Sequence, residues 1–205
     1  MAKLYFKHGT MNSSKSAQLI MTAHNYMSQG KDIIVLKPSR DTRWEQDKVV
    51  SRAIEYKLPC HLINENESIT EKIELIAYEQ DIEQVHAILV DESQFLKHSH
   101  VEELARLADD FNIPVICFGL KNSYVQGKLF EGSQALLYFA DRIDEIKTVC
   151  QYCEKKATMN LRVVNGKAVY DGETIVVGDV GSKEDEFYVQ VCREHYFNPP
   201  DFSRL

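Results

Sequence analysis

The chain has 205 residues, 44% of them hydrophobic, and a formal net charge of −7. This composition provides enough apolar side chains for a buried core, and the acidic balance disfavours nucleic acid and anionic lipid, which attract basic surfaces. Because there is no signal-type leader and no apolar run of about 18 residues, the sequence predicts a cytoplasmic protein that makes no membrane contact.

The first chemical motif follows a short apolar run at residues 3–8. Gly9–Ser16 reads GTMNSSKS and fits the pattern G-x-x-x-x-G-K-[ST], except that Ser14 replaces the second glycine. The backbone amides of such a loop bind phosphate oxygens, while Lys15 offers a charge to the β- and γ-phosphates and Ser16 a hydroxyl to Mg²⁺. The motif therefore predicts a nucleoside triphosphate site, and the alternative is a plain polar turn between a strand and a helix.

Apolar runs alternate with amphipathic segments over the first two thirds of the chain. Beyond the first strand, the predicted elements are a helix at Ala17–Met27, a strand at Asp32–Pro38, a helix at Ile69–Gln80, a strand at Ala87–Val90, a helix at Val101–Phe111 and a strand at Pro114–Gly119. This alternation is typical of a parallel sheet with helices on both faces. Residues 40–68 and 121–133 form long polar connections, which often carry function.

An Asp-Glu pair follows the strand predicted at Ala87–Val90. At the carboxyl end of a parallel sheet, Asp91 is placed to hold Mg²⁺ directly or through water. Glu92 is then placed to take the proton of an attacking hydroxyl. An isolated Asp-Glu pair is more typical of a solvated turn, but together with the loop at residues 9–16 it predicts a phosphoryl-transfer site.

Two short pairs of metal-ligand residues lie late in the chain, on either side of a predicted hairpin. The hairpin joins Asn160–Val164 to Lys167–Tyr170 through an Asn-Gly turn. Three thiolates and one imidazole complete a tetrahedral Zn²⁺ site and leave no position for water, so we predict structural zinc. The predicted ligands are Cys150, Cys153, Cys192 and His195. Cys60 and Cys117 lack such partners and are predicted to be buried thiols.

The change in pattern near Asp144 predicts two domains. Residues 1–143 are expected to form an α/β nucleotide-binding kinase domain. Residues 144–205 are expected to form a zinc-binding domain.

These motifs, in this order, resemble those of the type II thymidine kinases, the bacterial and cytosolic class. The segments that carry the resemblance are Gly9–Ser16, Asp41–Arg43, Asp91–Phe95, Phe118–Leu120, Gly127–Ser133, the four zinc ligands and Tyr188–Tyr196. The resemblance spans nearly the whole chain. It implies a RecA-type P-loop core with helices on both faces of a parallel sheet. It also implies that the small C-terminal domain, residues 144–205, is zinc-ribbon-like and has a lasso-type loop that closes over the nucleoside.

The same resemblance implies transfer of the γ-phosphoryl group of ATP to the 5′-hydroxyl of thymidine or deoxyuridine, in a homotetramer that serves nucleoside salvage. Glu92 would be the general base. The implied ATP and phosphate contacts are Gly9, Thr10, Met11, Asn12, Ser13, Ser14, Lys15, Ser16, Asp91, Glu92, Ser93 and Gln94. The implied nucleoside contacts are Met11, Phe95, Leu120, Tyr124, Asn160, Val176, Val177, Gly178 and Tyr188.

The chain departs from the family pattern at three places: at Ser14, at Ser123-Tyr124-Val125, and in a longer stretch over residues 179–187. The departures at Ser14 and Ser123 motivate an alternative, a degenerate relative that binds nucleotide with weak or no kinase activity. A third possibility is a zinc-ribbon ATPase that acts on another protein or on nucleic acid, and the acidic charge disfavours the latter.

Overall fold

The structure is a computed structural model that describes residues 1–40, 47–51, 53–172 and 186–202. In chain order its elements are β1 (Leu4–Gly9), α1 (Lys15–Met27), β2 (Ile33–Pro38), β3 (Lys48–Val50), β4 (Lys57–Pro59), β5 (His61–Ile63), α2 (Ile69–Glu79), β6 (Ala87–Val90), a 3₁₀ turn (Ser93–Phe95), α3 (His98–Asp110), β7 (Val115–Leu120), α4 (Glu131–Phe139), β8 (Arg142–Glu145), β9 (Met159–Val164), β10 (Lys167–Val169), β11 (Glu186–Val191) and α5 (Arg193–Phe197). The predicted strands and helices are all present, with small differences at their ends.

Six strands pair in parallel to form the central sheet, in the order β5-β2-β6-β7-β1-β8. In this order β7 lies between β1, which leads into the phosphate-loop motif, and β6, which ends at Asp91. The loop and the carboxylate therefore emerge at the same edge of the sheet, one strand apart.

Two apolar layers cover the sheet, because successive side chains of a strand point to opposite faces. Ile34 and Leu36 of β2 join a cluster with residues of α2, α3 and α4, whereas Val35 joins a cluster with residues of α1, β3 and β4. Cys60 and Cys117 are buried in this core, as predicted. The parallel sheet with helices on both faces confirms the predicted fold class.

The sequence analysis missed several elements of this core. Residues 40–68 are not one polar connection, since the described part of this stretch contains β3, β4 and β5, three short strands without a long apolar run. Residues 121–133 are not one polar connection, since α4 begins at Glu131, and Gly132 lies against the 3₁₀ turn. A Cβ on Gly132 would be 2.4 Å from the Ser93 carbonyl oxygen, so the close approach requires glycine. The charged strand β8 (RIDE) was also missed, because an edge strand lacks the apolar run of the central strands.

The C-terminal unit is a small antiparallel sheet in the order β10-β9-β11, with its own apolar cluster that includes Leu161, Val163 and Tyr196. Asn165 and Gly166 have φ values of 49° and 71°, and positive φ at both positions is what a two-residue type I′ hairpin turn requires. The predicted hairpin is thus confirmed. The predicted boundary after residue 143 falls within β8, and the division into two domains stays a prediction.

In the portions of the chain that the structure describes, no helix has both the length and the apolar character needed to cross a membrane.

Candidate functional site

The phosphate-loop motif forms a tight turn between β1 and α1. Asn12 and Ser14 both have left-handed backbone conformations, with φ values of 58° and 63°. Gly9 is required because a Cβ there would lie 2.2 Å from the Ser13 hydroxyl oxygen. Left-handed residues within a turn direct successive backbone N–H groups toward one concave face, which is the geometry of an anion-binding nest.

Two buried hydroxyls of this turn fit the same interpretation. The Oγ1 atom of Thr10 and the Oγ atom of Ser13 have no hydrogen-bond partner among the described residues. A buried hydroxyl without a partner is costly, so a polar ligand at this position would satisfy it. The ammonium group of Lys15 folds back over the loop and donates to the Thr10 carbonyl oxygen at 2.7 Å.

Ser16 joins the loop to the second half of the site. Its hydroxyl oxygen lies 3.3 and 3.2 Å from the two carboxylate oxygens of Asp91, at the end of β6. A serine hydroxyl and an aspartate beside a phosphate loop are the groups that hold Mg²⁺ in P-loop NTPases. The structure thus brings together two residues that lie 75 positions apart in the sequence.

Asp91 sits in an unusual electrostatic environment. Its side chain is 4% exposed, and burial, followed by the negative charge of Glu92, raises the pKa of Asp91 to about 7. The positive charge of Lys37, itself 2% exposed, opposes the shift. A cation that binds at Asp91 therefore displaces a proton near neutral pH.

Glu92 is held in a defined orientation by Gln94. The Gln94 side chain is 1% exposed, and its Oε1 accepts from the Leu120 backbone N–H at 2.9 Å. Because that N–H can only donate, the Nε2 of Gln94 must point the other way, where it donates to Glu92 Oε2 at 2.5 Å. Glu92 has a left-handed backbone with φ 49°, a strained conformation that is common at functional sites.

The aromatic residues expected at the nucleoside site lie in two groups. Phe95 packs edge-on against Phe130, with ring centroids 5.7 Å apart. Tyr124 packs edge-on against Tyr188 at 5.8 Å, which joins the loop after β7 to β11 of the C-terminal sheet. The structure therefore pairs two of the implied nucleoside contacts, Tyr124 and Tyr188, across the two parts of the chain.

Arg162 lies next to the Tyr124–Tyr188 pair, and the sequence analysis did not predict this position. Its guanidinium lies over the Tyr124 ring, 5.1 Å from the centroid, and it donates to the Tyr124 hydroxyl at 3.1 Å and to Glu186 at 2.9 Å. Only the pairing of β9 with β11 reveals this contact, because Arg162 stands opposite Tyr188 in the register.

Asn160, an implied nucleoside contact, bonds to the phosphate loop and to the segment that follows β7. Its Oδ1 accepts from the Met11 backbone N–H at 2.8 Å, and its Nδ2 donates to the Asn122 carbonyl oxygen at 3.2 Å. Met11 and Asn160, both predicted at the nucleoside site, are thus in direct contact. The predicted contacts Val176, Val177 and Gly178, like the segment Asp41–Arg43, lie outside the described residues.

The four predicted metal ligands converge in the C-terminal unit, with their ligand atoms all within 4.8 Å of one another. The Sγ atoms of Cys150 and Cys192 lie 3.4 Å from His195 Nδ1, and Cys153 Sγ lies 3.8 Å from Cys192 Sγ. A tetrahedral ion with bonds of about 2.0–2.3 Å separates its ligands by roughly 3.4–3.8 Å. The cluster therefore has the composition and spacing of a metal site.

Comparisons with known proteins agree with this geometry. The family model described as thymidine kinase matches residues 2–196. The chain belongs to the thymidine kinase family. It is 47% identical over 200 residues to the thymidine kinase of Streptococcus agalactiae serotype Ia, and 48% identical over 199 residues to that of Streptococcus pyogenes serotype M3. Each of these matches covers 97% of this chain and 99% of the relative.

Among solved structures, the chain is similar to one from a structure of two coordinating Pif1 helicases at forked double-stranded DNA. The TM-score is 0.39 with 16% identity, covering 71% of this chain and 39% of the other, and so weak a similarity carries no argument. The expected family resemblance is confirmed by the family match and by the streptococcal relatives. Nothing in the described part of the chain favours a degenerate member of the thymidine kinase family.

Proposed function

We propose that this protein is an ATP-dependent thymidine kinase, which transfers the γ-phosphoryl group of ATP to the 5′-hydroxyl of thymidine or deoxyuridine. The observation that carries the proposal is the contact between Ser16 and Asp91, with Glu92 next to it at the carboxyl end of the sheet. This arrangement supports a site in which the residues proposed to bind phosphate, to bind a cation and to accept a proton lie at one edge of the sheet.

In the proposed reaction, the loop amides and Lys15 hold the triphosphate while Glu92 takes the proton of the 5′-hydroxyl. The new bond joins the 5′-oxygen to the γ-phosphorus, and the bond from that phosphorus to the β–γ bridging oxygen breaks, so that ADP leaves. Ser16 and Asp91 would hold Mg²⁺, whose charge offsets the negative charge on the phosphates. Gln94 keeps the Glu92 carboxylate pointed in one direction throughout.

Two groups of residues would recognise the substrates. The proposed ATP and phosphate contacts are the loop residues Gly9–Ser16 together with Asp91, Glu92, Ser93 and Gln94. The proposed nucleoside contacts are Met11, Phe95, Leu120, Tyr124, Asn160, Tyr188 and, outside the described residues, Val176, Val177 and Gly178. For Gln94, the buried amide bonded to Glu92 and Leu120 supports an indirect role.

The remaining proposals concern the metal and the assembly. Zn²⁺ is the ion that three thiolates and one imidazole favour, and a fully protein-filled set gives it a structural role. A homotetramer in the cytoplasm, with a kinase domain at residues 1–143 and a zinc domain at residues 144–205, follows the family resemblance.

The nucleoside preference is tested by incubating the protein with labelled ATP, Mg²⁺ and a panel of nucleosides. We expect product with thymidine and deoxyuridine and far less with deoxyadenosine, because a site built to hydrogen-bond one base leaves polar groups unpaired with another. Equal turnover of deoxyadenosine and thymidine would contradict the proposal.

The role of Glu92 is tested by Glu92→Gln. The variant keeps an acceptor oxygen for Gln94 and nearly the same shape, but it cannot take a proton. We expect kcat to fall on the order of 10²–10⁴-fold with little change in the KM for thymidine. ATP binding serves as the control for folding, and an unchanged kcat would exclude Glu92 as the base.

A further inference from the structure

Two amide side chains of the C-terminal sheet reach across to the phosphate loop. Asn160 on β9 and Gln190 on β11 stand directly opposite each other in the antiparallel register, so their side chains leave the same face of the sheet. Asn160 Oδ1 accepts from the Met11 backbone N–H at 2.8 Å. Gln190 Oε1 accepts from the Asn12 side-chain amide at 3.2 Å. One cross-strand pair thus contacts two consecutive residues of the loop.

The Asn160 side chain is buried, and each of its two polar atoms has a hydrogen-bond partner. The side chain is 3% exposed, and its two polar atoms serve different partners, the Met11 N–H and the Asn122 carbonyl oxygen. The carboxamide accepts from the first partner and donates to the second, which leucine, of similar size, cannot do. A substitution that leaves either partner unpaired lowers the stability of this region by more than the net contribution of one hydrogen bond, because a buried polar group is then left without a partner.

The Gln190 contact connects the loop to the metal-ligand segment. Gln190 Nε2 donates to Gln151 Oε1 at 3.3 Å, and the Gln151 backbone N–H donates to the Gln190 carbonyl oxygen at 3.1 Å. Gln151 directly follows the predicted ligand Cys150. The side chain that holds Asn12 is therefore itself fixed by the segment between Cys150 and Cys153.

The loop residue at the end of this connection needs such support. Asn12 has a φ of 58°, a left-handed conformation that surrounding contacts must hold in place. The direction of the loop amides depends on this backbone conformation, and misdirected donors weaken phosphate binding.

We propose that Asn160 and Gln190 form a clamp that positions the phosphate loop, so that the C-terminal sheet sets the affinity of the loop for ATP. This inference rests on the proposed ATP site. It assigns to Asn160 a positioning role toward the phosphates, in addition to the nucleoside contact that the family resemblance implied.

The first test compares Asn160→Leu with the wild type by three measurements: the hydrogen-exchange rate of the Met11 amide, the Kd for ATP, and the KM for thymidine. We expect faster exchange at Met11, an ATP Kd raised about three- to tenfold, and a thymidine KM that changes less. The matched control is Val163→Ala, which removes packing from the same strand inside the C-terminal cluster without touching the loop. It should leave the Met11 exchange rate and the ATP Kd near those of the wild type.

Gln190→Met provides a second variant in case Asn160→Leu does not fold. The contact between Gln190 and Asn12 is exposed, so its loss leaves no buried polar group unpaired and we expect this variant to fold. It should raise the ATP Kd, and adding Asn12→Gly, which removes the same contact at a left-handed position that glycine tolerates, should raise it little further.

The clamp would be overturned if Asn160→Leu raised the thymidine KM and left the ATP Kd unchanged, or if neither Asn160→Leu nor Gln190→Met changed the ATP Kd. It would also be overturned if Val163→Ala changed the Met11 exchange rate and the ATP Kd as much as Asn160→Leu does. Failure of the proposed function looks different. In that case the wild type has no thymidine kinase activity, while the exchange and ATP-binding measurements still report on the clamp.

Discussion

Ser14 is the residue at which the loop departs from its motif, and its backbone explains why glycine is usual there. The structure places it in the left-handed region, with φ 63° and ψ 28°, at the N-cap of α1. Its side chain makes no capping hydrogen bond that would offset the strain. An L-residue pays about 1–2 kcal/mol for this conformation, so the expected glycine-like geometry is present but strained.

We therefore predict that Ser14→Gly raises the free energy of unfolding by about 0.5–1 kcal/mol, after allowing for the greater entropy of glycine in the unfolded chain. It should also raise kcat while the ATP Kd changes less, because an unstrained loop places its amide donors better for the phosphate oxygens of the transition state. Urea denaturation and steady-state kinetics measure both effects. Ser14→Ala is the control, since it keeps the Cβ and should show neither gain.

Asp91 carries a second prediction at this scale. Its raised pKa means that the folded protein keeps the proton up to about pH 7, whereas the unfolded chain releases it near the ordinary value of 3.8. The stabilising contribution of this group is complete below about pH 4 and is lost as the pH rises through about 7. At pH 8 without Mg²⁺, the folded state holds a buried charge at a cost in stability.

Asp91→Asn should accordingly be more stable than the wild type at pH 8 in Mg²⁺-free buffer, with a smaller gain at pH 5. Urea denaturation at the two pH values measures the difference. An equal gain at both would mean that the charge of Asp91 is not what destabilises the folded protein.

At the scale of elements, the sequence predicted the strands and helices whose hydrophobic pattern is strong and the turn whose residue types are fixed. The buried strands β2, β6 and β7 are continuous apolar runs, and the Asn165-Gly166 turn has a local chemical requirement, so both were predictable. The charged edge strand β8 and the helix α4 depend on neighbours far away in the chain. So do the contacts of Arg162 and Gln190, which exist only because β9 pairs with β11.

Cys150 and Cys192 belong both to the metal-ligand cluster and to the apolar core of the C-terminal sheet. We predict one zinc per chain, and that Cys153→Ser loses the metal and unfolds this sheet, since structural Zn²⁺ contributes folding free energy directly. Metal analysis and near-ultraviolet circular dichroism measure the two effects. Cys60→Ala, in a different apolar cluster, should keep the metal. Freshly purified wild type without zinc would contradict the prediction.

At the scale of the molecule, the candidate site lies where two sheets meet. The loop, Ser16 and the two carboxylates come from the central sheet, whereas Asn160, Arg162 and Tyr188 come from the C-terminal one. The motifs alone could predict the half from the central sheet, because each of its two motifs, residues 9–16 and the Asp91-Glu92 pair, is contiguous in sequence. The half from the C-terminal sheet depends on strand register, so the sequence identified Tyr188 and Asn160 only through the family resemblance.

The pairing of β1 bears on the order of events during synthesis at the ribosome. Leu4 pairs with Val115 and Tyr5 with Arg142, so the first strand emerges long before either of its neighbours. Until then its backbone groups on both edges lack their native partners, a state that invites pairing with other chains. A nascent or truncated chain that stops before Val115 therefore exposes β1 as an unpaired strand that is prone to aggregate. We expect chaperones to bind the nascent chain most before β7 has been synthesised.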